Sequence, residues 1–397
     1  MTRSSVPLWQ DEPYRPRPPL EGAARADVCV VGAGVGGLAT ARRLLDAGLS
    51  VVVLDRHEVA SGASGRNGGF FIAGAAPMYH DARRLWGRER AAAIHEATLT
   101  AQLEMLEVAE AVGARSAFRR DGLLRLAVDE VEADDVRSNA AALAEDGFPG
   151  QLVAGDDLPD PLARPERAGL FFPHDGSVHP VRWLRALADA LESRGTRIFE
   201  HSPVVGFPAA DGNGVRVPTA SGVVRCDRAV VAMDGDLAAL VPSAQAVRPR
   251  RLNMVATAPL GRTVLPFPVY ARYGHEYAHQ TADGRIALGG FSDLDGDASW
   301  TARTEVSEPV QARLDRWLLE ELRVSAPVTH RWAGVVGFAD DPLPRCGPVP
   351  GTAGRVLALG GYNGTGHVQA WVASRVVVDL LVTGASPSAG LYATVDA

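Results

Sequence analysis

The sequence predicts an α/β fold, a Rossmann-type doubly wound parallel sheet interleaved with an α+β unit built on an antiparallel sheet. Three observations predict it. Residues 27–55 run through a short apolar stretch, a Gly-rich turn, a helical pattern and a second apolar stretch. Residues 356–382 repeat strand, Gly-rich turn and helix near the other end of the chain. Between them, residues 248–290 hold four strand-like runs in succession, as an antiparallel sheet requires.

The first unit follows residue by residue. Residues 27–31 form the apolar run of a buried parallel strand. Gly32, Gly34 and Gly37 follow as G-x-G-x-x-G, with Gly36 beside the last. Leu38, Ala41, Leu44, Leu45 and Gly48 then fall at helical spacing, and residues 51–54 make a second strand ending in Asp55 and Arg56. Asp55 stands 23 positions after Gly32, close to the spacing of a carboxylate on an adenosine ribose. The first glycine makes the turn, the second lets a pyrophosphate approach, and the third lets helix and strand pack closely. The helix N-terminus faces the phosphates. The motif alone leaves a nicotinamide and a flavin dinucleotide both open.

Next comes SGASGRNGGF, residues 61–70, with four glycines and two serines around Arg66 and Asn67. Glycine this dense costs folding entropy and marks a close approach of backbone to a ligand. The Gly/Ser/Ala stretch runs on to residue 76, where a nicotinamide enzyme would already have entered another βα unit. Such a backbone suits an extended flavin dinucleotide, with N–H groups of Ser61, Ala63, Ser64, Gly65, Gly68 and Gly69 available to phosphate and ring carbonyls.

Residues 81–112 read as one or two long helices, 122–127 as a strand and 130–146 as a helix with an acidic face. A helix over 182–193 precedes strands at 197–200, 204–207, 214–217, 222–226 and 227–233. Val204 faces either the adenine or ordinary sheet core. Strands at 248–259, 269–273, 276–280 and 285–290 form the antiparallel sheet, and residues 308–322 an amphipathic helix. At 356–359 an apolar strand leads into the turn Gly361, Tyr362, Asn363, Gly364, Thr365, Gly366 and a helix over 368–382. The expected organisation is an arm over 1–25, a discontinuous nucleotide unit (26–80, 150–240, 326–385) and a substrate unit (81–149, 241–325).

Composition narrows the function. With 46% hydrophobic and 22% charged residues, the chain is globular rather than disordered. A net charge of −7 argues against a nucleic-acid partner. Every one of the 40 Lys-plus-Arg positions is Arg, which excludes pyridoxal Schiff bases and a P-loop lysine. No apolar run reaches membrane-spanning or signal-peptide length, and three scattered cysteines argue against a disulfide framework or a metal site. The expected compartment is the cytoplasm, with no integral membrane segment and no metal.

GAGVGG, LDR, GASGRNGG and the late GGYNGTGH together resemble the amine- and amino-acid-oxidising flavoproteins of the D-amino-acid oxidase family. Within it the chain is most similar to the γ-glutamylputrescine oxidase and glycine oxidase branch, over about residues 27–384. The resemblance implies FAD held between the two glycyl segments, with the late helix N-terminus facing the pyrimidine side of the ring. Arg66 and Asn67 would bring polar hydrogens toward the cofactor. Three departures qualify it. Some relatives tether flavin through a cysteine, but Cys346 matches an apolar position, so noncovalent FAD is expected. An Arg that clamps substrate carboxylates in relatives is replaced after Trp332–Gly334 by Val335, Val336 and Gly337, with Arg272 as a possible substitute. The family's G-Y-S-G-H-G ending becomes Gly361–His367 with the histidine displaced, and no lysine is present to assist oxygen.

The resemblance implies oxidation of a carbon–nitrogen bond of a primary or secondary amine or amino-acid derivative. Hydride passes to flavin N5, an imine forms, and oxygen gives hydrogen peroxide. Pocket candidates are Tyr270, Tyr273 and His279 on roof strands, with Trp332 and Tyr362 near the flavin. Alternatives are a dehydrogenase serving a quinone or carrier, and a flavin-binding protein without turnover.

Overall fold

The structure is a computed structural model that describes residues 5–165, 167–211 and 214–397. Residues 1–4 of the expected arm, and 166, 212 and 213 of the expected nucleotide unit, lie outside them.

Short runs, valine-rich in the middle strands, build the central sheet. Its strands lie in the order Arg197–Phe199, Val51–Leu54, Val28–Val31, Arg228–Val231, Val356–Gly360, all parallel, with Arg345–Pro348 added antiparallel at the edge. Alternation divides the core in two. Val28, Val30, Val51 and Val53 face the helices Val35–Asp46, Pro180–Ser193 and Gly366–Thr383. Cys29, Val31, Val52 and Leu54 face a small sheet of Gly22–Arg25, Gly222–Cys226, Gly214–Pro218 and Ala209–Asp211. The first turn closes as the motif requires. Gly32 has φ +107°, and a Cβ on Gly37 would stand 1.8 Å from the carbonyl oxygen of Gly32. Only backbone without a side chain fits there.

The second sheet has eight strands: Val328–Phe338, Arg248–Thr257, Ile286–Gly290, Glu276–Gln280, Val269–Ala271, Leu123–Ala127, Ala168–Phe172 and Gln151–Ala154. It is antiparallel except where Val269–Ala271 runs parallel to Leu123–Ala127. Leu124, Leu126, Val255, Ala278 and Leu288 face away from the nucleotide unit and pack under Val310, Leu314, Trp317 and Leu318 of the helix Glu308–Glu320.

Sheet membership departs from the expected boundaries. Val328–Phe338, Gln151–Ala154 and Ala168–Phe172 fall within segments assigned to the nucleotide unit, yet hydrogen-bond into the eight-stranded sheet. Residues 204–207 are not a strand: Val204 makes one isolated bridge to Thr219, and Val205 is exposed. The strand expected over 269–273 ends at Ala271, because Arg272, Tyr273 and Gly274 turn with φ +48°, +55° and +84°.

The N-terminal segment is docked, not merely extended. Leu8–Gln10 forms a single turn that buries Trp9, and Gly22–Arg25 pairs parallel with Gly222–Cys226. Between them the buried Arg17 binds Glu192 at 2.7 Å and also contacts Asp189 and the fully buried Glu200. Among the described residues no helix is long and apolar enough to cross a membrane.

Candidate cofactor crevice and substrate cavity

Two glycyl segments and two helix N-termini converge at the C-terminal ends of the parallel strands, where open α/β sheets bind their ligands. The helix Val35–Asp46 starts at Gly34 and the helix Gly366–Thr383 at Thr365, and neither N-cap side chain satisfies the first-turn N–H groups. Ser64 Oγ accepts from the Val35 N–H at 3.0 Å, so the second loop closes over the first turn. Gly34, Gly36, Ala63, Ser64, Gly364 and Gly366 line a cavity of about 100 Å³ between the loops. It adjoins a larger one of about 450 Å³ under the eight-stranded sheet. The two share Asn67, Gly68, Tyr270, Val336, Gly364 and Thr365 as wall.

The loop at residues 61–69 is pinned from behind. Three successive carbonyls each meet an aromatic ring nitrogen: Arg66 with Trp332 Nε1 at 3.0 Å, Asn67 with Trp9 Nε1 at 2.8 Å, and Gly68 with His279 Nε2 at 2.9 Å. Gln10 Nε2 donates to the carbonyls of Ser61 and Gly65, both at 3.1 Å. His279 stacks on Trp9 with ring centroids 5.8 Å apart, and burial pulls its pKa down to about 4, so the imidazole is neutral. Trp332 and His279 therefore buttress the loop and line neither cavity.

The other sequence candidates divide similarly. Tyr270 lines both cavities, Tyr362 the smaller one, and Tyr273 stands at the exposed rim with its hydroxyl on Asp135 at 2.7 Å. Arg66 donates to the carbonyls of Ser61 and Ala333, and Asn67 bridges Ser64 O and the Gly69 N–H. These donors are thus engaged by backbone, while Arg66 also lines the larger cavity and Asn67 both. Asp55 accepts from Ala33 N at 2.7 Å and His57 N at 2.8 Å, tying the first turn to the strand end, while burial raises its pKa. Arg56 pairs with Asp236 at 2.5 Å on the surface. Gly361 donates its N–H at 3.0 Å to Asp234. Arg272 is engaged by Glu276 at 2.7 Å and Asp293 at 2.9 Å, which removes it as a free carboxylate clamp.

Four site residues escaped sequence reading. Asp234, just past the strand Arg228–Val231, has φ +44° and accepts the N–H groups of Gly337, Gly361 and Tyr362 at 3.0, 3.0 and 3.3 Å. Burial pushes it up to about 6, although those donors oppose the shift. Asp175 accepts from Ala73 N and Gln102 Nε2 beside the larger cavity, and burial pushes it up to about 7. Tyr277 and Arg125 also line that cavity. Only Arg125 left a local signal, a lone cation inside the apolar strand LLRLA.

The smaller cavity is polar where a ligand would have to be polar. The Tyr362 hydroxyl and both ring nitrogens of His367 line it, buried and without a partner among the described residues. Unsatisfied buried donors and acceptors are costly unless a ligand completes them. Together with the uncapped helix ends and a backbone cradle at Gly34 and Gly36, they fit a flavin dinucleotide. The profile of the family described as DAO, FAD dependent oxidoreductase, matches residues 27–380. The chain belongs to this family of FAD-dependent oxidoreductases. A probable oxidoreductase OrdL of Rhizobium meliloti (strain 1021) is 28% identical over 93% of this chain and 86% of its own length. The γ-glutamylputrescine oxidoreductase of Escherichia coli (strain K12) is 25% identical over 93% and 86%. The crystal structure of glycine oxidase from Geobacillus kaustophilus shares the fold at TM-score 0.77, with 22% identity over 93% of this chain and 98% of that one. The protein is an FAD-dependent enzyme of this family.

Proposed function

We propose that the protein oxidises the carbon–nitrogen bond of an amine or amino-acid derivative. The observation that carries this reading is the common wall of the two cavities: a substrate-sized space adjoins the cofactor crevice beneath a sheet face bearing Tyr270 and Tyr277. When bound, FAD supplies the hydride acceptor, so that an amine leaves as an imine and reoxidation by oxygen yields hydrogen peroxide.

The chain's own residues bind, orient and dehydrate. Burial holds the Tyr270 phenol protonated, so its O–H donates to a substrate lone pair rather than abstracting a proton. Ile72, Leu123, Leu252, Phe172 and Val336 give the cavity apolar walls, which lower an amine's pKa and favour its neutral form. The N-terminus of Gly366–Thr383 favours negative charge at the crevice. Cys346 donates its thiol to Ala373 O at 3.5 Å and lines neither cavity, which argues against a thioether tether to FAD there.

The test is an anaerobic screen of amines and amino acids against the purified yellow protein. At least one should bleach the flavin band, and readmitting oxygen should restore it with stoichiometric peroxide. Acid precipitation should leave the colour in the supernatant. A flavin that no amine or amino acid reduces would overturn the reading.

A further inference from the structure

Arg125 stands in register with Tyr270 on the neighbouring strand, and its side chain lines the larger cavity. Leu124 and Leu126 on either side of it point into the opposite core. A single ladder row continues from Arg125 through Tyr270, Tyr277, Gly289 and Met254 to Trp332. A Cβ on Gly289 would meet Met254 Sδ at 2.2 Å and Tyr277 Cε2 at 2.4 Å, so its missing side chain makes room for both neighbours in that row.

The guanidinium has no hydrogen bond or ion pair among the described residues, and its Nε is sealed from solvent without an acceptor. The carboxylates whose charge it feels are occupied. Glu132 accepts from Tyr273 N at 2.7 Å and Val128 N at 3.0 Å, Asp175 from Ala73 N at 2.8 Å and Gln102 at 2.9 Å, and Asp81 pairs with Arg84. Arg66 and Arg250 line the same cavity, and Asp175 is the one acid in its wall. Arg250 donates to Ser299 at 3.2 Å and lies over Trp300 and Phe338. A buried cation without a partner is costly, and the cost is relieved when an anion arrives. Neither Val335 nor Val336 offers a cation, and Arg272 is already paired.

We infer that Arg125 binds a carboxylate of the substrate, so that the amine oxidised carries an acid group and is not a simple polyamine. This rests on the proposed amine oxidation and names its substrate class. The anchor lies five strands across the sheet from Val336, where relatives were expected to clamp it, and places the rest of the substrate alongside Tyr270. The fork of the guanidinium matches a carboxylate in two hydrogen bonds.

The experiment uses the FAD-loaded protein and its Arg125→Met and Arg125→Lys variants, each checked for FAD content and thermal midpoint. Acetate and benzoate, with benzamide as the uncharged control, are titrated while the flavin spectrum is followed. Wild type should saturate with a carboxylate and not with benzamide. Arg125→Met should weaken the carboxylate about 10- to 100-fold, and Arg125→Lys less. In the anaerobic screen proline should reduce the flavin in preference to pyrrolidine, or alanine in preference to ethylamine. Carboxylates that bind wild type and Arg125→Met equally, or do not bind wild type, overturn the inference, as does a wild type that prefers the decarboxylated amines. If Arg125→Met fails to fold, the lysine variant and the wild-type preference decide. Carboxylate binding that depends on Arg125, with no amine able to bleach the flavin, would leave the anchor standing and remove the proposed reaction.

Discussion

Gly34 shows how a residue acts here through what it lacks. A Cβ at this position would lie 2.8 Å from Ser64 Oγ, the atom that accepts the Val35 N–H. Gly34→Val would push Ser64 off the helix start and fill the approach to the crevice. Its purified form should contain little or no FAD, read as the ratio of flavin to protein absorbance; wild-type flavin content would count against the cofactor placement. Asp234 is the complementary case, a buried carboxylate in a left-handed turn that gathers three N–H groups from two other segments. The dinucleotide glycines were legible because backbone geometry alone demands them. Asp234 was not, because its donors lie more than a hundred positions away in the chain.

Among the elements, the N-terminal segment carries an unexpected role. Its Pro-rich composition reads as an extended arm, yet Trp9 and Gln10 hold three carbonyls of the glycyl loop. Trp9 is also packed between His179 and His279, with ring centroids at 5.2 and 5.8 Å. Trp9→Ala should lower stability by about 3–5 kcal/mol, seen in urea unfolding, and should speed FAD loss on dilution because the loop behind the cofactor loosens. Equal dissociation rates for variant and wild type would show that the arm serves stability alone. A tryptophan in a Pro-rich stretch carries no local pattern that names its distant partner, so this contact was invisible in the sequence. The βαβ unit and the C-terminal helix were visible, since periodicity and capping are local.

Across the whole molecule, burial sets the response to pH. His95, His179, His279 and His367 are each pulled by desolvation from an ordinary value near 6.5 to about 4. As pH falls from 6.5 toward 4, the unfolded chain takes up protons there that the folded chain refuses, so stability falls. Asp175 and Asp234, pushed up to about 7 and about 6, work in the opposite direction: the folded chain keeps protons that the unfolded chain releases above about 4. Asp55 and Glu132, also raised by burial, add to that side, but the four histidines carry the larger total, so the thermal midpoint should drop on acidification from pH 6.5 to 4. A midpoint that rises or stays level across that window would contradict this balance.

The sequence by itself determined the α/β class, the βαβ nucleotide turn, the second glycyl loop and the family, because each rests on spacing within a few dozen residues. Tertiary structure alone decided which strands share a sheet, as with Val328–Phe338, and which aromatic side chains face the cavity. It turned Trp332 and His279 into supports for the loop and left Arg125 facing the cavity without a partner among the described residues. The physical reason is that strand pairing and side-chain burial are settled by contacts between segments far apart in the chain. Local periodicity says which face of a strand is apolar, but only the packed neighbour decides whether a polar group on the other face finds a partner.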